Sequence, residues 1–219
     1  LRAIDDIQTR PQLFAVLQQM HDHNLGVGFE LAMESDPKDR TRYLPTVQQS
    51  GMGLPERDYY FRSDAKTIAI RKAYVELLAR LFEAAGEANA PVKAGRVLAF
   101  ETQLAERAMR VVEMRDPKAV YNLRSVATLS REAPGFDWRG YFAAIGLGEP
   151  GNINVRQPRF ATRFAALAGK APLDDWQLVL KSILLREAAP RLPRTFEAAH
   201  FAFEQALGIA HAIEAEVAM

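Results

Sequence analysis

At 219 residues, with 28 basic against 27 acidic side chains and a formal net charge of +1, the chain carries no field of one sign to draw nucleic acid or anionic lipid. It contains no cysteine, which excludes disulfides, cysteine-ligated zinc and thiol nucleophiles but assigns no compartment. A chain this long makes one large domain or two small ones and buries roughly 70% or more of its unfolded surface, so its core needs no metal or disulfide.

No apolar run approaches the ~20 residues of a membrane span, and no basic-then-apolar leader is present. The first residue is Leu1, not Met, so the true start is expected to lie upstream, with room there for a signal peptide or anchor.

Thr9-Arg10-Pro11 is a helix start, with Thr9 as N-cap and proline in the first turn. Leu13, Val16, Leu17 and Met20 recur at helical spacing, and Asn24-Leu25-Gly26 supplies the stop. The period then changes to two. Val27, Phe29, Leu31 and Met33 alternate with Gly28, Glu30, Ala32 and Glu34, the pattern of a half-buried strand. Asp36-Pro37-Lys38-Asp39 predicts a turn and Tyr43 to Gln49 a returning strand, which Pro45 would confine to a sheet edge.

From about residue 64 to 219 the pattern is helical. Ile70, Tyr74, Leu77, Leu78, Leu81, Phe82 and Ala85 form one stripe, ended by Gly86 and Pro91. A second long helix is predicted from about Pro91 to Val112, with Val97, Leu104, Ala108 and Val111 aligned. Shorter helices are expected at 137–146 and 158–169. Leu173-Asp174 predicts another, with Asp174 as cap, Leu173 stapled onto Leu178, and Trp176, Val179, Leu180 and Ile183 on its buried face. The last begins at about Arg194, after Pro190 and Pro193, with Phe196, Ala199, Phe203 and Leu207 in register. The expected fold is mainly α, a multi-helix domain with one small β-hairpin at residues 26–50.

The common catalytic patterns are missing. No His-Glu-x-x-His run exists to place two zinc ligands on one helix face. His21 and His23 stand two apart, which a helix points in different directions, so a solvated helix end is expected there. His200 and His211 share a face but lie eleven residues, roughly 16 Å, apart, too far for one ion. Gly51-Met52-Gly53 lacks the spacing and the Lys-Ser/Thr of a phosphate loop, and no Gly-x-Ser-x-Gly elbow occurs. Tyr59, Tyr60 and Phe61 are not interleaved with a basic stripe, which argues against single-strand binding. No catalytic, cofactor-binding or metal-ligating residue is assigned to this chain.

Glu101 breaks a local rule. It follows Val97 by four and precedes Leu104 and Ala108, so it falls on an apolar stripe, where a carboxylate must be paired or protonated. It is either an acid or base in a cleft or a structural tie to an arginine or to backbone N–H groups. With no second titratable group close in sequence, the structural role is the expectation. In Arg115-Asp116-Pro117, Asp116 is expected to cap a short helix and Arg115 to tie down Tyr121-Asn122 or another loop.

Between hairpin and helices lies "GMGLPERDYY", residues 51–60. Gly51 and Gly53 allow backbone angles closed to other residues, and Pro55 stiffens the turn. Asp58 is expected to bond local backbone, and the tyrosines to pack their rings with hydroxyls in water. The string with Phe61 resembles the Gly-Leu-Gly-Leu-Pro-x-Arg-Asp-Tyr-Tyr signature of the neprilysin-like zinc metallopeptidases, the family of neprilysin, the endothelin-converting enzymes and bacterial oligopeptidase O. "SDPKDRTRY" from Ser35, "FETQLAE" from Phe100, "RDPKAVYN" from Arg115, "APGFDWRGYF" from Ala133, "NVRQPRF" from Asn154 and "LLREAAPRLPRTFEAAHFAF" from Leu184 are similar to further family segments, in the family's order.

The resemblance implies a two-lobed enzyme. A catalytic lobe would hold zinc through His-Glu-x-x-His and a downstream Glu, and residues 1–219 would be the helical lobe that closes over it, shaping a chamber that admits short peptides. Its partners would be that catalytic lobe and peptide substrates, with no nucleic acid and no membrane contact by this segment. The location would be secreted, periplasmic or in the cell envelope. The inner face should expose apolar surface. The alternative is a stand-alone helical scaffold module without activity. After Phe203 the family pattern continues differently, so a break in the chain is expected between about Phe203 and Leu207.

Overall fold

Thr9 opens the first long helix by accepting from the Gln12 N–H, while the Gln12 carboxamide returns to the Thr9 N–H, a reciprocal capping box. The computed structural model describes the backbone of residues 1–217 and the side chains of residues 1–208. A short turn of helix, α1 (Arg2–Asp5), precedes α2 (Arg10–Asp22). The hairpin follows as β1 (Phe29–Asp36) and β2 (Asp39–Gln49), then a 3-10 turn at Arg57–Tyr60 and the paired helices α3 (Ala65–Ala84) and α4 (Ala90–Ala105). Next come α5 (Val111–Met114), β3 (Leu123–Arg124), α6 (Val126–Glu132), α7 (Trp138–Ala144) and β4 (Ile153–Val155). The chain closes with α8 (Pro158–Lys170), α9 (Leu173–Ala188) and α10 (Arg194–Val217). The protein is mainly α with one small sheet.

Asp64 caps α3, and the Thr67 backbone N–H and hydroxyl hold its carboxyl down to about 2. Ser125 and Asp137 cap α6 and α7 in the same way. Six of the seven stripe residues, Ile70 to Phe82, are buried and Ala85 is half-buried, and Gly86 ends the helix at φ +82°. At the centre lies α9, buried on most of its circumference: Trp176, Leu178, Val179, Leu180, Ile183 and Leu185 are all within the core. Its one buried lysine, Lys181, pairs with Asp5 and Glu87 and so ties α1 and the α3–α4 turn to this central helix. Phe29 at the base of the hairpin meets Phe136, Trp138, Tyr141 and Phe164 at ring-centroid distances of 5.1–5.7 Å, mostly edge to face.

Several expectations need correction. The hairpin is half of a four-stranded sheet of order β1-β2-β4-β3, in which β4 runs parallel to β2 at Thr46 and Val47. Pro45 therefore sits in an interior strand, but one residue outside the β4 pairing, where its missing N–H leaves no ladder bond unmade. Strands of two and three residues carry no readable period, which is why β3 and β4 were illegible. The second long helix stops at Ala105 rather than Val112. There Gln49 takes over: its Oε1 accepts from the Met109 N–H at 2.7 Å and its Nε2 donates to the Met109 carbonyl at 3.0 Å. A strand-like bond pair from β2's end replaces the next helical turn, and Val111 is left 40% exposed instead of aligned with Leu104.

At α9 the N-cap is Pro172, and Asp174 lies inside the first turn, where its charge still suits the helix N-terminus. Asp116 accepts from Lys118 N–H in a turn rather than a helix, and Tyr121 and Asn122 are held by Asp36 and Asn154, not Arg115. α10 runs through Phe203 and Leu207 as one helix. Ala199 and Phe203 are buried there as expected, whereas the side chain of His211 lies outside the described residues.

Candidate functional site: a buried carboxylate that holds the glycine-rich loop

The loop from Gly51 to Tyr60 is built around positions where a side chain has no room. Gly51 stands at φ +82°, and a Cβ there would lie 2.3 Å from the Gly28 nitrogen. A Cβ at Gly53 would lie 1.9 Å from Tyr74 Oη. The loop thus runs directly against the hairpin base on one side and α3 on the other.

Glu101, fully buried on α4, closes this arrangement. Its Oε2 accepts from Tyr60 Oη at 2.7 Å and from the Gly53 N–H at 3.2 Å; its Oε1 accepts from Tyr74 Oη at 2.7 Å. Tyr60 Oη accepts in turn from the Gly53 and Leu54 N–H groups, both at 3.1 Å. Arg186 of α9 brings its Nη2 to 4.0 Å from Glu101 and its guanidinium over the Tyr74 ring, 5.7 Å from the centroid. Burial pushes the Glu101 carboxyl above its ordinary value, against the opposing pull of Arg186 and the three donors. The same burial, with Glu101 close by, pushes the Tyr60 and Tyr74 hydroxyls well up, so both remain donors.

Of the two roles open to Glu101, the geometry is that of the structural tie. One carboxylate joins the loop, α3, α4 and α9. Tyr60 departs from expectation, because its hydroxyl is buried in this network rather than in water. Asp58 also departs: its carboxylate pairs with Arg57 at 3.0 Å and Arg110 at 3.2 Å instead of local backbone. Tyr74 was the readable signal for the missing partner, since a phenol on an otherwise apolar stripe needs an acceptor. Arg186 gave no comparable sign.

His21 is half-buried and hydrogen-bonded, and not the solvated helix end expected. Its Nδ1 lies 2.9 Å from Tyr141 Oη and its Nε2 3.1 Å from the Val27 carbonyl, with the ring 4.5 Å from Phe29. Burial lowers its pKa. The unfolded chain therefore binds the proton more readily, and the stability His21 contributes is present above the ordinary value near 6.5 and lost as pH falls. Unfolding free energy should drop between pH 7 and pH 5, by at most about 1.4 kcal/mol per pH unit from this one proton. A His21→Gln variant should show a shallower slope in urea titrations across that range; an unchanged slope would assign the dependence elsewhere.

Among the described residues no three His, Cys, Asp or Glu side chains converge on a point where a metal ion would fit. No described helix is long and apolar enough to cross a membrane.

Solved structures with this fold identify its class. The chain superposes on the Mycobacterium tuberculosis zinc metalloprotease Zmp1 bound to an inhibitor with a TM-score of 0.85 and 34% identity, covering 93% of this chain and 31% of that one. Zmp1 in its open state gives the same score and identity. PepO from Lactobacillus rhamnosis, at 15% identity and a TM-score of 0.74, shares the fold across 96% of this chain and 36% of its own. The architecture is that of the N-terminal domain of zinc metallopeptidases. A family model for the N-terminal part of peptidase family M13 matches residues 1–215, and the chain belongs to that family. Endothelin-converting enzyme 1 of Rattus norvegicus is 30% identical over 132 residues, 59% of this chain and 17% of the rat protein. Neprilysin-3 of Drosophila melanogaster is 26% identical over 129 residues, 58% of this chain and 16% of its own length. The chain thus spans less than a third of Zmp1 and less than a fifth of the animal relatives it matches.

Proposed function

We propose that residues 1–219 are the non-catalytic helical lobe of a zinc-dependent endopeptidase that cleaves short peptides, and that this lobe is the lid of the reaction chamber and restricts substrate size. The observation that carries the proposal is the match of residues 1–215 to the family's N-terminal model, together with alignment of nearly the whole chain on 31% of a zinc metalloprotease. The sequence contains no His-Glu-x-x-His, and the described residues form no ligand set that fits zinc. Zinc and the hydrolytic groups then belong to a catalytic lobe of the same polypeptide, and no step of hydrolysis is assigned to this chain. Met33 and Tyr43 of the hairpin are 52% and 66% exposed, apolar surface that a second lobe would cover. The location that goes with this reading is secreted, periplasmic or in the cell envelope.

The full-length protein should cleave a fluorogenic peptide, lose that activity to a chelator and regain it with zinc, while residues 1–219 alone should give no turnover. Turnover by the isolated segment would overturn the assignment. A native reading frame that stops at Met219 would instead favour the scaffold module.

A further inference from the structure

β1 is an edge strand: in the order β1-β2-β4-β3 no strand lies beyond it among the described residues. The direction of its backbone groups can be read from its neighbour. The Val47 carbonyl accepts from the Arg156 N–H at 2.9 Å, and the Gln49 N–H goes to the Gln157 carboxamide at 2.9 Å, so both residues turn their backbone groups toward β4 and away from β1. Leu31 is the partner of Val47 in the antiparallel register, and it therefore turns its own N–H and C=O outward from the sheet. The period of two adds Met33, while Ala32 between them bonds β2.

Two further features make this edge receptive. The pairing with β2 is regular from Phe29 to Ser35, and that stretch contains no lysine, proline or bulge of the kind that keeps an edge from acquiring a neighbour. Leu31 and Ala32 also line a cleft of about 350 Å³, whose other wall is formed by Asp22 at the end of α2 and by Tyr141 and Ile145 at α7. The cleft has the layout of an edge strand facing helix ends, into which an extended chain fits as an added strand. Asp22 and Glu30 place carboxylates in its lining, and no lysine or arginine is there to balance them.

We propose that an extended segment of the polypeptide outside residues 1–219, carrying a basic residue, adds to β1 as a fifth strand through the outward N–H and C=O groups of Leu31 and Met33. A second copy of the chain is a poor occupant. In the antiparallel register that uses both residues, Ala32 lies on the two-fold axis and Glu30 falls opposite Glu34 of the copy, like charges directly across a strand pair. A free short peptide is a poor one too, because a few backbone hydrogen bonds of modest net worth must offset its lost translational freedom. A tethered segment avoids most of that cost, and a chain that aligns with only 31% of Zmp1 leaves ample length to supply it. The proposal rests on the reading that the polypeptide continues as a second lobe. Peptide turnover tests that reading, and exchange at two amides tests this one.

Residue-resolved hydrogen exchange on the full-length protein reads the contact directly. The Leu31 and Met33 amides should exchange about a hundredfold more slowly than unprotected amides, although their own sheet gives them no acceptor. Met33→Pro removes one outward donor and no bond to β2, so the Leu31 amide should lose its protection in that variant while the Ala32 amide keeps its own. Asp22→Lys, at an exposed position, should speed exchange at Leu31 about tenfold with the unfolding midpoint unchanged. Solvent-rate exchange at Leu31 and Met33 would overturn the proposal, as would protection indifferent to Asp22→Lys. Protection that rises with protein concentration would assign the edge to a second copy, and protection that appears only with an added lysine-containing peptide would assign it to a free ligand; either result would also overturn it.

Discussion

Replacing Glu101 by alanine should lower the free energy of unfolding by about 3–5 kcal/mol, the range for stripping one partner from a buried charged network. The substitution would leave the Tyr60 and Tyr74 hydroxyls without their acceptor, the Gly53 N–H with only its bond to Tyr60 Oη, and Arg186 without the carboxylate that lies 4.0 Å away. Glu101→Gln should cost less, about 1–3 kcal/mol, because the amide oxygen keeps part of the acceptor role. Urea unfolding followed by fluorescence is a direct measurement, since Trp138 and Trp176 are both fully buried.

The pH dependence of that deficit has a definite sign. The folded-state pKa of Glu101 is raised, so the native state binds the proton more tightly than the unfolded chain. Its contribution is fully present below the unfolded carboxylate value near 4.3 and is lost as pH rises through the folded value. The Glu101→Gln variant mimics the protonated form, so its deficit relative to the native sequence should shrink with rising pH. A deficit that grew with pH would mean that the ion pair with Arg186 outweighs burial.

The second large effect is expected at Gly51. A left-handed backbone conformation costs a residue with a side chain about 1–3 kcal/mol, and forcing a methyl group against fixed atoms adds about 1–3 more. Gly51→Ala meets both conditions, since its Cβ would fall 2.3 Å from a backbone nitrogen that belongs to Gly28, itself at φ +69°. Gly86 has the same φ of +82° but nothing within 4 Å of the added methyl. Gly86→Ala should therefore show the strain alone, and Gly51→Ala should exceed it by about 1–3 kcal/mol. Equal losses at the two sites would mean that the hairpin base yields to admit the methyl group, and that the close approach of loop to β1 is not a constraint on the fold.

Much of this was legible beforehand where the relevant forces are local. Thr9 and Pro11 marked a helix start, since caps depend on neighbours within one turn. Ile70 to Phe82 marked a buried face, because helical geometry alone places those side chains together. The out-of-place carboxylate at Glu101 was visible on the same grounds. Its partners were not: Gly53, Tyr60, Tyr74 and Arg186 lie 48, 41, 27 and 85 residues away in sequence, and only the packing of α3, α4 and α9 against the loop brings them to one carboxylate. The same limit explains His21, whose position at a helix end suggested water until Tyr141 closed over it from 120 residues further on.

By itself, then, the sequence determined the helical class, the hairpin and the family, because periodicity, caps and ordered segments are properties of short stretches. The tertiary structure alone decided where α4 stops, which strand Pro45 occupies and what neutralises Glu101. Each of those outcomes depends on a bond between distant segments: Gln49 to Met109, β2 to β4, Tyr74 and Arg186 to one buried carboxylate. No local propensity encodes such a bond, since its worth appears only once water has been excluded from both partners.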